Sequence, residues 1–502
     1  MKKMTSSMKA LVCAGAALLT AACVQSLDKE TFQSTTNEQL ESPAQESVTI
    51  EPIANADGSE SIVFSWGVVP GAGGYQVSVY EMDGDAAEVR ATPNVVNVLI
   101  DNERIDGCSV TFPKYDDTYY LITVLTLGND KLNNKEALEP MNFAYKTWAP
   151  MTALPAGSDL ASVITLVEPE DPDLGQGFEL VAGGKYTLST SVDFGLYNVT
   201  LKGDETNPPT VEVQNDAMLI TQAGLKIKNI NFDCTASTAR SLLAFSAEPD
   251  ESLSTESLGY KADGANQNGY VIEKPVIFDG CMVKNLQRSL IWGQTKPWSL
   301  RDFRITNSII QLNNGGNGNV LELSDANPNN GLIKEMTISN STIYNLVPNS
   351  SNYFLRFANN SNAQPQKIFG DSQKSITHRI ENSTFAKVFT KKDFANNMPT
   401  VGTMTDYVSN VIFYDVYRIY QYILNNHTRY TSNNTMWYYD CDDPQSNDYG
   451  GRSDTNGNPF TTLEDPGFTE PFVELDLTKP NGGVNFKASG AISSTIGDPR
   501  WR

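Results

Sequence analysis

The sequence predicts an all-β protein in which a β-sandwich domain precedes a right-handed parallel β-helix. Two observations carry this prediction. Residues 46–148 contain short segments in which apolar and polar side chains alternate, which is the period of half-buried strands. After residue 149, a six-residue pattern centred on Asn or Gly recurs at intervals that suit the coils of a solenoid. We therefore expect two domains, with bounds 46–148 and 149–502.

The first 22 residues have the pattern of an export signal. Lys2, Lys3 and Lys9 precede an apolar stretch, residues 10–19, that is too short to span a bilayer. The sequence LTAAC that ends at Cys23 resembles the lipobox of bacterial lipoproteins. The resemblance implies that residues 1–22 are removed and that Cys23 is lipidated and held by outer-membrane lipid. An ordinary secretory signal with an incidental Cys is the alternative.

Residues 23–45 are polar and rich in Ser, Thr, Gln and Glu, which predicts a flexible tether. Asp28 and Glu30 lie close behind Cys23, although Lys29 separates them. This partly resembles Bacteroidetes-type lipoproteins, in which acidic residues after the lipidated Cys route the protein to the cell surface. We therefore expect an outer-membrane lipoprotein on the cell surface.

The charge of the chain limits its partners. There are 59 acidic and 37 basic residues, and the formal net charge is −22. A surface this acidic argues against nucleic acid as a partner. A polyanion would need a bridging cation such as Ca²⁺.

Cysteine usage predicts that packing, not crosslinking, stabilises the fold. Cys13 leaves with the signal and Cys23 is lipidated, so four cysteines remain in the folded part: Cys108, Cys234, Cys281 and Cys441. Their spacing fits no zinc motif. We expect buried free thiols, with a Cys234–Cys281 disulfide as the alternative.

Three alternating segments define the first domain. Residues 61–66 and 75–80 alternate on either side of a turn rich in Pro and Gly, and residues 119–126 alternate again. The Trp-containing strand, the turn and the Tyr-containing strand resemble a fibronectin type III-like β-sandwich, and the length of about 100 residues agrees. We expect Trp66 to lie in the core and the domain to act as a spacer.

The second domain is predicted from a repeat of the form apolar, polar, Asn or Gly, small or apolar, any, apolar. Its corner positions are separated by 51, 27, 33, 42 and 28 residues, so the short gaps suit one coil and 51 suits two. Asn and Gly tolerate left-handed backbone angles at a corner, and stacked Asn side chains can form a ladder. The length predicts roughly 13 coils, and the crossover preference predicts a right-handed path. The corners are Asn229, Gly280, Asn307, Asn340, Asn382 and Asn410.

Two further stretches carry a family resemblance. Residues 181–188 and 199–204 resemble the first coils of pectate-lyase-like β-helices. Residues 465–468 and 497–501 resemble the end of a group of surface lipoproteins of unknown activity, in which a fibronectin-like domain precedes a β-helix. Genes of that group lie in polysaccharide-utilisation clusters, often for pectin, which implies a polysaccharide ligand and other glycan-utilisation proteins as partners. We expect Trp501 to plug the last coil.

The catalytic sets of known β-helix enzymes are missing, so no catalytic residue is assigned. No Gly-Asp-Asp occurs, and neither His378 nor His427 lies in a Gly-His-Gly sequence. The Trp-x-Asp-His segment of pectate-lyase-like enzymes is absent as well. A lyase needs little beyond Ca²⁺ and one Lys or Arg base, however, so a divergent enzyme stays an alternative.

A basic and aromatic patch is the first candidate site. Its candidate residues, named below, have three further basic residues near them in the sequence: Lys284, Lys296 and Arg304. Together these side chains could form a groove that faces uronate. The alternative is a solvated coil edge with two packed indoles. The glycan-binding candidates in this patch are Arg288, Trp292, Trp298 and Arg301.

The second candidate site combines aromatic residues, which stack on sugar rings, with carboxylates, which hold Ca²⁺. The alternative is an acidic surface loop whose aromatic residues cap the solenoid. The glycan-binding candidates here are Trp437, Tyr438, Tyr439 and Tyr449. The metal candidates are Asp440, Asp442, Asp443 and Asp448.

Taken together, the sequence favours a non-catalytic glycan-binding lipoprotein of the cell surface. The first alternative is a divergent polysaccharide lyase or hydrolase, and the second is a structural or adhesive surface protein. Fold alone does not decide among them.

Overall fold

The computed structural model divides the chain into two compact units, Met1–Trp148 and Ala149–Arg502. Within the described residues, no helix is long and apolar enough to cross a membrane. The described residues are 36–55, 60–82, 95–115, 117–169, 171–172, 174–238, 241–260, 269–323, 331–347, 352–357, 368–369, 376–396, 404–417, 419, 429–438, 465–470 and 472–502.

The first unit consists of two antiparallel sheets. One has the strand order β1-β2-β5 and the other β4-β3-β6-β7. A 3₁₀ turn at Gln45–Ser47 precedes them. The strands are β1 (Thr49–Ala54), β2 (Glu60–Ser65), β3 (Tyr75–Met82), β4 (Val95–Ile105), β5 (Ser109–Lys114), β6 (Tyr119–Thr126) and β7 (Met141–Lys146).

One apolar core joins the two sheets of the first unit. Phe64 of β2 and Val77 of β3 belong to the same buried cluster, so the sheets pack face to face. Trp66 is 4% exposed, and its ring lies 5.3 Å from that of Tyr75, edge to face. The prediction that Trp66 is a core residue is confirmed.

The described part of the predicted tether packs against the first unit. Leu40 is buried, and its amide donates to the carbonyl of Lys135 at 3.0 Å. The amide of Glu38 donates to the side chain of Asn134 at 3.0 Å. An apolar Leu within a polar stretch is the signal for this contact, since it gains from burial. Residues 36–45 are thus part of the folded unit, and residues 23–35 lie outside the described residues.

The second unit has a β-helix-like fold with three long parallel sheets, which we number 1 to 3. A short helix, α1 (Leu160–Val163), precedes most of them, and 3₁₀ turns lie at Glu251–Leu253, Pro480–Gly483, Ser493–Thr495 and Pro499–Trp501. Sheet 1 contains β8 (Met151–Leu154), β9 (Gln176–Leu180), β12 (Val199–Lys202), β15 (Leu225–Lys228), β18 (Tyr270–Ile272), β19 (Val276–Asp279), β22 (Trp298–Thr306), β25 (Ile333–Ser339), β28 (Ile376–Glu381), β31 (Met404–Ser409) and β33 (Arg429–Asn433).

The other two sheets take strands from the same successive coils. Sheet 2 contains β10 (Lys185–Leu188), β13 (Thr210–Val213), β16 (Asn231–Asp233), β20 (Met282–Leu286), β23 (Ile309–Leu312), β26 (Thr342–Asn345), β29 (Thr384–Ala386), β32 (Ile412–Tyr414) and β34 (Met436–Tyr438). Sheet 3 contains β11 (Val192–Asp193), β14 (Leu219–Thr221), β17 (Ser241–Phe245), β21 (Ser289–Trp292), β24 (Leu321–Glu322), β27 (Leu355–Arg356) and β30 (Ala395–Asn396).

Each coil turns its alternate apolar residues inward, and these stack into one continuous core. The inward residues of sheet 2 form a row in register that includes Ile310, Ile343, Phe385, Phe413 and Trp437. All five are fully buried. The chain is therefore all-β with long parallel sheets, as the sequence predicts.

The corner between sheets 1 and 2 is the asparagine ladder that the repeat predicts. All six predicted corner residues have φ between 48° and 65°. The amide of Asn340 donates to Asn307 at 3.3 Å, and that of Asn410 donates to Asn382 at 3.2 Å. Asn434, which the sequence analysis missed, continues the column by donating to Asn410 at 3.3 Å.

The 51-residue gap between Asn229 and Gly280 spans one coil, not two. β15 pairs directly with β19, so the corners are neighbours and the extra residues form an insertion that contains β18. Such insertions also explain why sheet 2 has nine strands in the described residues while an even repeat predicted roughly 13 coils.

The C-terminal segment (residues 465–470 and 472–502) does not continue the stack. Its apolar residues cover the outer face of sheet 2, where Phe486 and Leu475 join a buried cluster with Tyr344. Trp501 belongs to this cluster, and its indole donates to the hydroxyl of Thr342 at 2.7 Å. The prediction that Trp501 plugs the last coil is wrong, since it packs on the side of β26.

The cysteines of the described residues are free and buried, as the composition predicts. They are Cys108, Cys234 and Cys281, so the alternative Cys234–Cys281 disulfide is not formed. Burial raises the pKa of both Cys234 and Cys281 to about 12, which keeps these thiols protonated and unreactive. Cys441 lies outside the described residues.

Candidate functional site

The outer face of sheet 3 carries a row of side chains on successive strands. Their inward neighbours, which include Ile291, Leu321 and Leu355, are buried in the core. Because side chains alternate along a strand, the next residue of each strand points outward. In register along the sheet, the outward residues are Ile220, Ala244, Trp292, Glu322, Arg356 and Asn396.

Three of these residues place an aromatic ring, a carboxylate and a guanidinium side by side. Trp292, Glu322 and Arg356 occupy neighbouring strands and are all partly exposed. Neighbouring strands lie about 4.8 Å apart, so the three side chains span roughly 10 Å along the sheet. We call these three, together with Asn396, the sheet-3 row.

The carboxylate of Glu322 is held in place by its neighbours. Its Oε2 accepts hydrogen bonds from the hydroxyl of Ser289 at 3.2 Å and from the amide of Asn319 at 3.3 Å. The carboxylate is thus oriented before any ligand arrives.

Arg356 is positioned by an aromatic ring and has a donor to spare. Its guanidinium carbon lies 5.8 Å from the ring centre of Tyr353. Its Nε is buried and makes no hydrogen bond to any described residue. A buried donor without a hydrogen bond is rare in folded proteins, so packing alone does not account for Arg356 at this position.

The backbone beside Trp292 is strained. Gln294 and Thr295 have φ of 49° and 61°, which is the left-handed region that non-glycine residues avoid. A β-branched residue there costs on the order of 1–3 kcal/mol. Strained backbone conformations of this kind are concentrated at functional sites, where they help to position a side chain.

The sheet-3 row brings together two of the predicted glycan-binding residues. Trp292 belongs to the row, and Arg288 lies close to it. A Cβ placed at Gly318 would be 3.7 Å from Glu322 Oε2 and 3.9 Å from the Cβ of Arg288. Both distances are ordinary van der Waals contacts, so the loop at Gly318 lies beside Arg288 and Glu322.

The structure removes Trp298 from the candidate site. Trp298 is fully buried, and its indole donates to the carbonyl of Ser246 at 2.9 Å. An indole in the core cannot stack on a sugar, so the glycan-binding prediction for Trp298 is wrong. The packed-indole alternative is correct for this residue.

Arg301 also lies away from the sheet-3 row. It is on β22 of sheet 1, where its Nε donates to Glu273 at 2.6 Å. Its guanidinium carbon is 5.1 Å from the ring centre of Phe369. The charge of Arg301 is therefore neutralised by a neighbouring carboxylate.

The predicted basic patch is dispersed because one coil passes through all three sheets. Lys284 is on sheet 2, where it forms an ion pair with Glu474 at 2.8 Å. Arg304 is on sheet 1, where it pairs with Asp302. Residues that are close in sequence thus face three directions.

The second predicted site is only partly described. Trp437 points inward, is fully buried and donates to the carbonyl of Val416 at 2.8 Å, so its glycan-binding prediction is wrong. Tyr438 points outward, and its ring stacks on that of Tyr414 at 5.5 Å. Tyr439, Tyr449, Asp440, Asp442, Asp443 and Asp448 lie outside the described residues. Among the residues that are described, no group of three or more His, Cys, Asp or Glu could hold a metal ion.

The sequence analysis missed Glu322 and Arg356. Each follows an apolar residue, 15 or 16 positions after the corners at Asn307 and Asn340. The loops between sheets 2 and 3 differ in length, so the two residues do not recur at a fixed period. A search for apolar–polar pairs downstream of each corner is the signal that would have found them.

Two family models match the chain. One is described as a domain of unknown function, DUF4992, and matches residues 3–176. The other is also a domain of unknown function, DUF4957, and matches residues 184–346, which include Trp292 and Glu322. No curated protein matches the chain.

Proposed function

We propose that the protein binds a polysaccharide along the sheet-3 row. The observation that carries this proposal is the alignment of Trp292, Glu322 and Arg356 on adjacent strands. The indole offers an apolar face to a sugar ring, Glu322 accepts hydrogen bonds from hydroxyl groups, and Arg356 donates them. Because the row follows the stack of strands, an extended polymer can lie along it.

The same proposal gives each unit a role. The first unit is a fibronectin type III-like sandwich that acts as a spacer, supported by its seven strands in sheets of three and four. The second unit is a right-handed β-helix of the pectate-lyase-like kind, supported by its three parallel sheets and asparagine ladder. Glycan utilisation at the cell surface, with partner proteins of the same system, follows from the sequence resemblance.

Membrane attachment through Cys23 is part of this function, since a surface glycan binder must stay with its cell. The lipobox-like sequence supports it. In cells that process lipoproteins, Cys23→Ser is expected to move the protein from the detergent phase to the aqueous phase. Unchanged partitioning would refute the lipid anchor.

A polysaccharide lyase is the second candidate, and the pairing of Glu322 with Arg356 favours it. A guanidinium next to a bound uronate would offset the carboxylate charge and acidify the neighbouring proton. A hydrolase is less well supported. The other carboxylate of the described outer row, Asp193, is four strands from Glu322, about 19 Å away, whereas paired glycosidase carboxylates lie about 5–9.5 Å apart.

One experiment separates these candidates. Lipid-free protein carrying Cys23→Ser is incubated with a panel of neutral and acidic polysaccharides, with and without Ca²⁺. Affinity-gel retardation reports binding, absorbance of unsaturated ends reports a lyase, and reducing ends report a hydrolase. Retardation without new ends is expected. New ends would replace binding with catalysis, and no effect in any assay would favour an adhesive role.

Matched variants place the binding on the sheet-3 row. Trp292→Ala, Glu322→Gln and Arg356→Met are each expected to weaken retardation by about tenfold, since each removes one direct contact. The controls are Trp148→Ala in the other unit, and Glu335→Gln and Arg379→Met on sheet 1. Arg379 lies over Tyr407 as Arg356 lies over Tyr353, so it matches in chemistry but not in place. Equal losses in test and control variants would refute this location.

A further inference from the structure

A second concave site lies on a different sheet. It is a groove of about 370 Å³ between the outer face of sheet 2 and the start of the C-terminal segment. The residues that matter for its chemistry are Tyr414, Phe468 and Phe472, which are aromatic, and Lys387, Asp465 and Glu470, which are charged. Its volume lies at the lower end of the range for small-molecule sites.

The aromatic residues build one wall of the groove. The rings of Phe468 and Phe472 lie 5.1 Å and 5.6 Å from that of Tyr414, both edge to face. Tyr414 also stacks on Tyr438, with an angle of 11° between the ring planes. The rings hold one another in place, and Tyr414, Phe468 and Phe472 are all partly exposed.

The charged residues give the groove polar groups of both signs. Asp465 and Glu470 are exposed carboxylates. The ammonium of Lys387 lies 5.7 Å from the ring centre of Phe472, so its position is guided by a cation–π contact. The lining thus carries two negative charges and one positive charge.

The backbone fixes Lys387 in an unfavourable conformation. Its φ is 55°, and its amide donates to the carbonyl of Tyr414 at 2.8 Å. Asp415 on the next coil has φ of 52° and donates to the carbonyl of Tyr438 at 2.7 Å. Two non-glycine residues in the left-handed region therefore terminate neighbouring strands beside the groove.

We propose that this groove binds a neutral sugar unit, a mono- or disaccharide, as a second glycan site. The aromatic wall suits the apolar face of a sugar ring, and the carboxylates accept hydrogen bonds from its hydroxyl groups. An acidic sugar is disfavoured, because the two carboxylates outnumber the single ammonium. The small volume suits a chain end or a branch more than the middle of a polymer.

This site is distinct from the sheet-3 row, since it uses other strands and the C-terminal segment. It does not depend on the function proposed for that row.

The test uses the full chain with Cys23→Ser and three neutral disaccharides, cellobiose, galactobiose and mannobiose, with digalacturonate as the charged probe. Titration calorimetry measures affinity. At least one neutral disaccharide is expected to bind more tightly than digalacturonate. Lys387→Met and Glu470→Gln are each expected to weaken that binding by about tenfold or more, since a charge-assisted hydrogen bond is lost.

The controls separate this proposal from the first one. Lys185→Met, at the far end of sheet 2, and Glu335→Gln, on sheet 1, are expected to bind as the parent does. Trp292→Ala should keep disaccharide binding, and Glu470→Gln should keep polymer retardation. Absence of neutral disaccharide binding, tighter binding of digalacturonate, or loss with Trp292→Ala but not with Glu470→Gln would each overturn the proposal.

Discussion

The outer faces of sheets 2 and 3 differ although their inner faces are alike. Both sheets send apolar residues into one core. On sheet 2, the outward residues at the middle of the stack include Ile309, Tyr344 and Ala386, which are buried in one cluster with apolar residues of the C-terminal segment. On sheet 3, the outward residues are Trp292, Glu322 and Arg356, and all three are partly exposed.

The difference shows that the outward row, not the fold, decides what each face does. An apolar outward row must be covered, because exposed apolar surface is unfavourable. A row that mixes an indole with charged groups needs no cover and suits a ligand. The groove on sheet 2 lies at the edge of the C-terminal segment and is lined by both aromatic and charged residues.

The largest expected effect is on the covered face. Phe486→Ala should lower the free energy of unfolding by about 3–5 kcal/mol, because a buried ring is lost from a packed cluster. Its ring centre lies 4.9 Å from that of Tyr344. Urea denaturation followed by tryptophan fluorescence and circular dichroism measures the change.

Trp292→Ala is the matched variant on the open face. It should lower the free energy of unfolding by less than about 1 kcal/mol, because its indole is partly exposed. Similar losses for Trp292→Ala and Phe486→Ala would break the distinction between the two faces.

The next largest expected effect is on the pH dependence of stability and comes from a histidine in the interior of the stack. His378 is fully buried on the inner face of sheet 1, and burial lowers its pKa to about 4. In the unfolded chain the pKa is about 6.5, so below that pH the unfolded state binds a proton that the folded state does not. Stability should therefore fall as pH decreases from about 6.5 to 4, by up to about 3 kcal/mol.

His378→Met isolates this effect, since Met336 occupies the neighbouring position of the same inward row. The variant keeps all acidic residues, so the difference between the two pH profiles reports His378 together with its effect on Asp406, its partner on the next strand. An unchanged profile would mean that the pKa of His378 is the same in the folded and the unfolded chain. Stability that rises as pH falls from about 6.5 would mean that the folded imidazole is protonated beside Asp406, whose Oδ1 is 3.9 Å from Nδ1.

A smaller effect is expected where the C-terminal segment is fastened. Arg500 donates to the carbonyl of Ser308 at 3.0 Å and to that of Asn340 at 2.6 Å, and it forms an ion pair with Asp498 at 2.7 Å. Asp498 is buried, so Arg500→Ala leaves a buried carboxylate with fewer partners and should cost about 2 kcal/mol. Urea denaturation measures it.

Arg500→Lys tests whether charge alone is sufficient. Lysine keeps the positive charge but lacks the planar guanidinium with which Arg500 reaches two carbonyls and a carboxylate. The variant should therefore recover only part of the stability that Arg500→Ala loses. Full recovery would mean that the segment is held by charge and not by the forked geometry of Arg500.

The sequence predicted the ladder better than the site for a physical reason. A corner requires a particular backbone conformation, so Asn and Gly mark it wherever it occurs. An outward side chain is fixed only by strand register, which the variable loops obscure. Trp437 is an example, because an error of one residue in the strand register exchanges the inward Trp437 with the outward Tyr438.

The same reasoning explains why Trp298 was misplaced and Trp66 was not. Trp66 continues the alternation of residues 61–66, so the side on which it lies could be inferred from the sequence. Trp298 begins a strand that follows a strained turn, and the alternation does not extend across that turn.

The smallest expected effect on stability comes from the asparagine ladder. Asn340 has φ of 48° and donates to Asn307. Asn340→Gly keeps the backbone conformation and loses only the side-chain amide, so it should cost about 0.5–1 kcal/mol, measured by urea denaturation. Asn340→Ala loses the amide and must also place Cβ in the left-handed region, which costs a further ~1 kcal/mol or more. If the two variants were equally stable, the amide column and not the corner geometry would be what selects Asn, and the repeat would mark hydrogen bonding between coils.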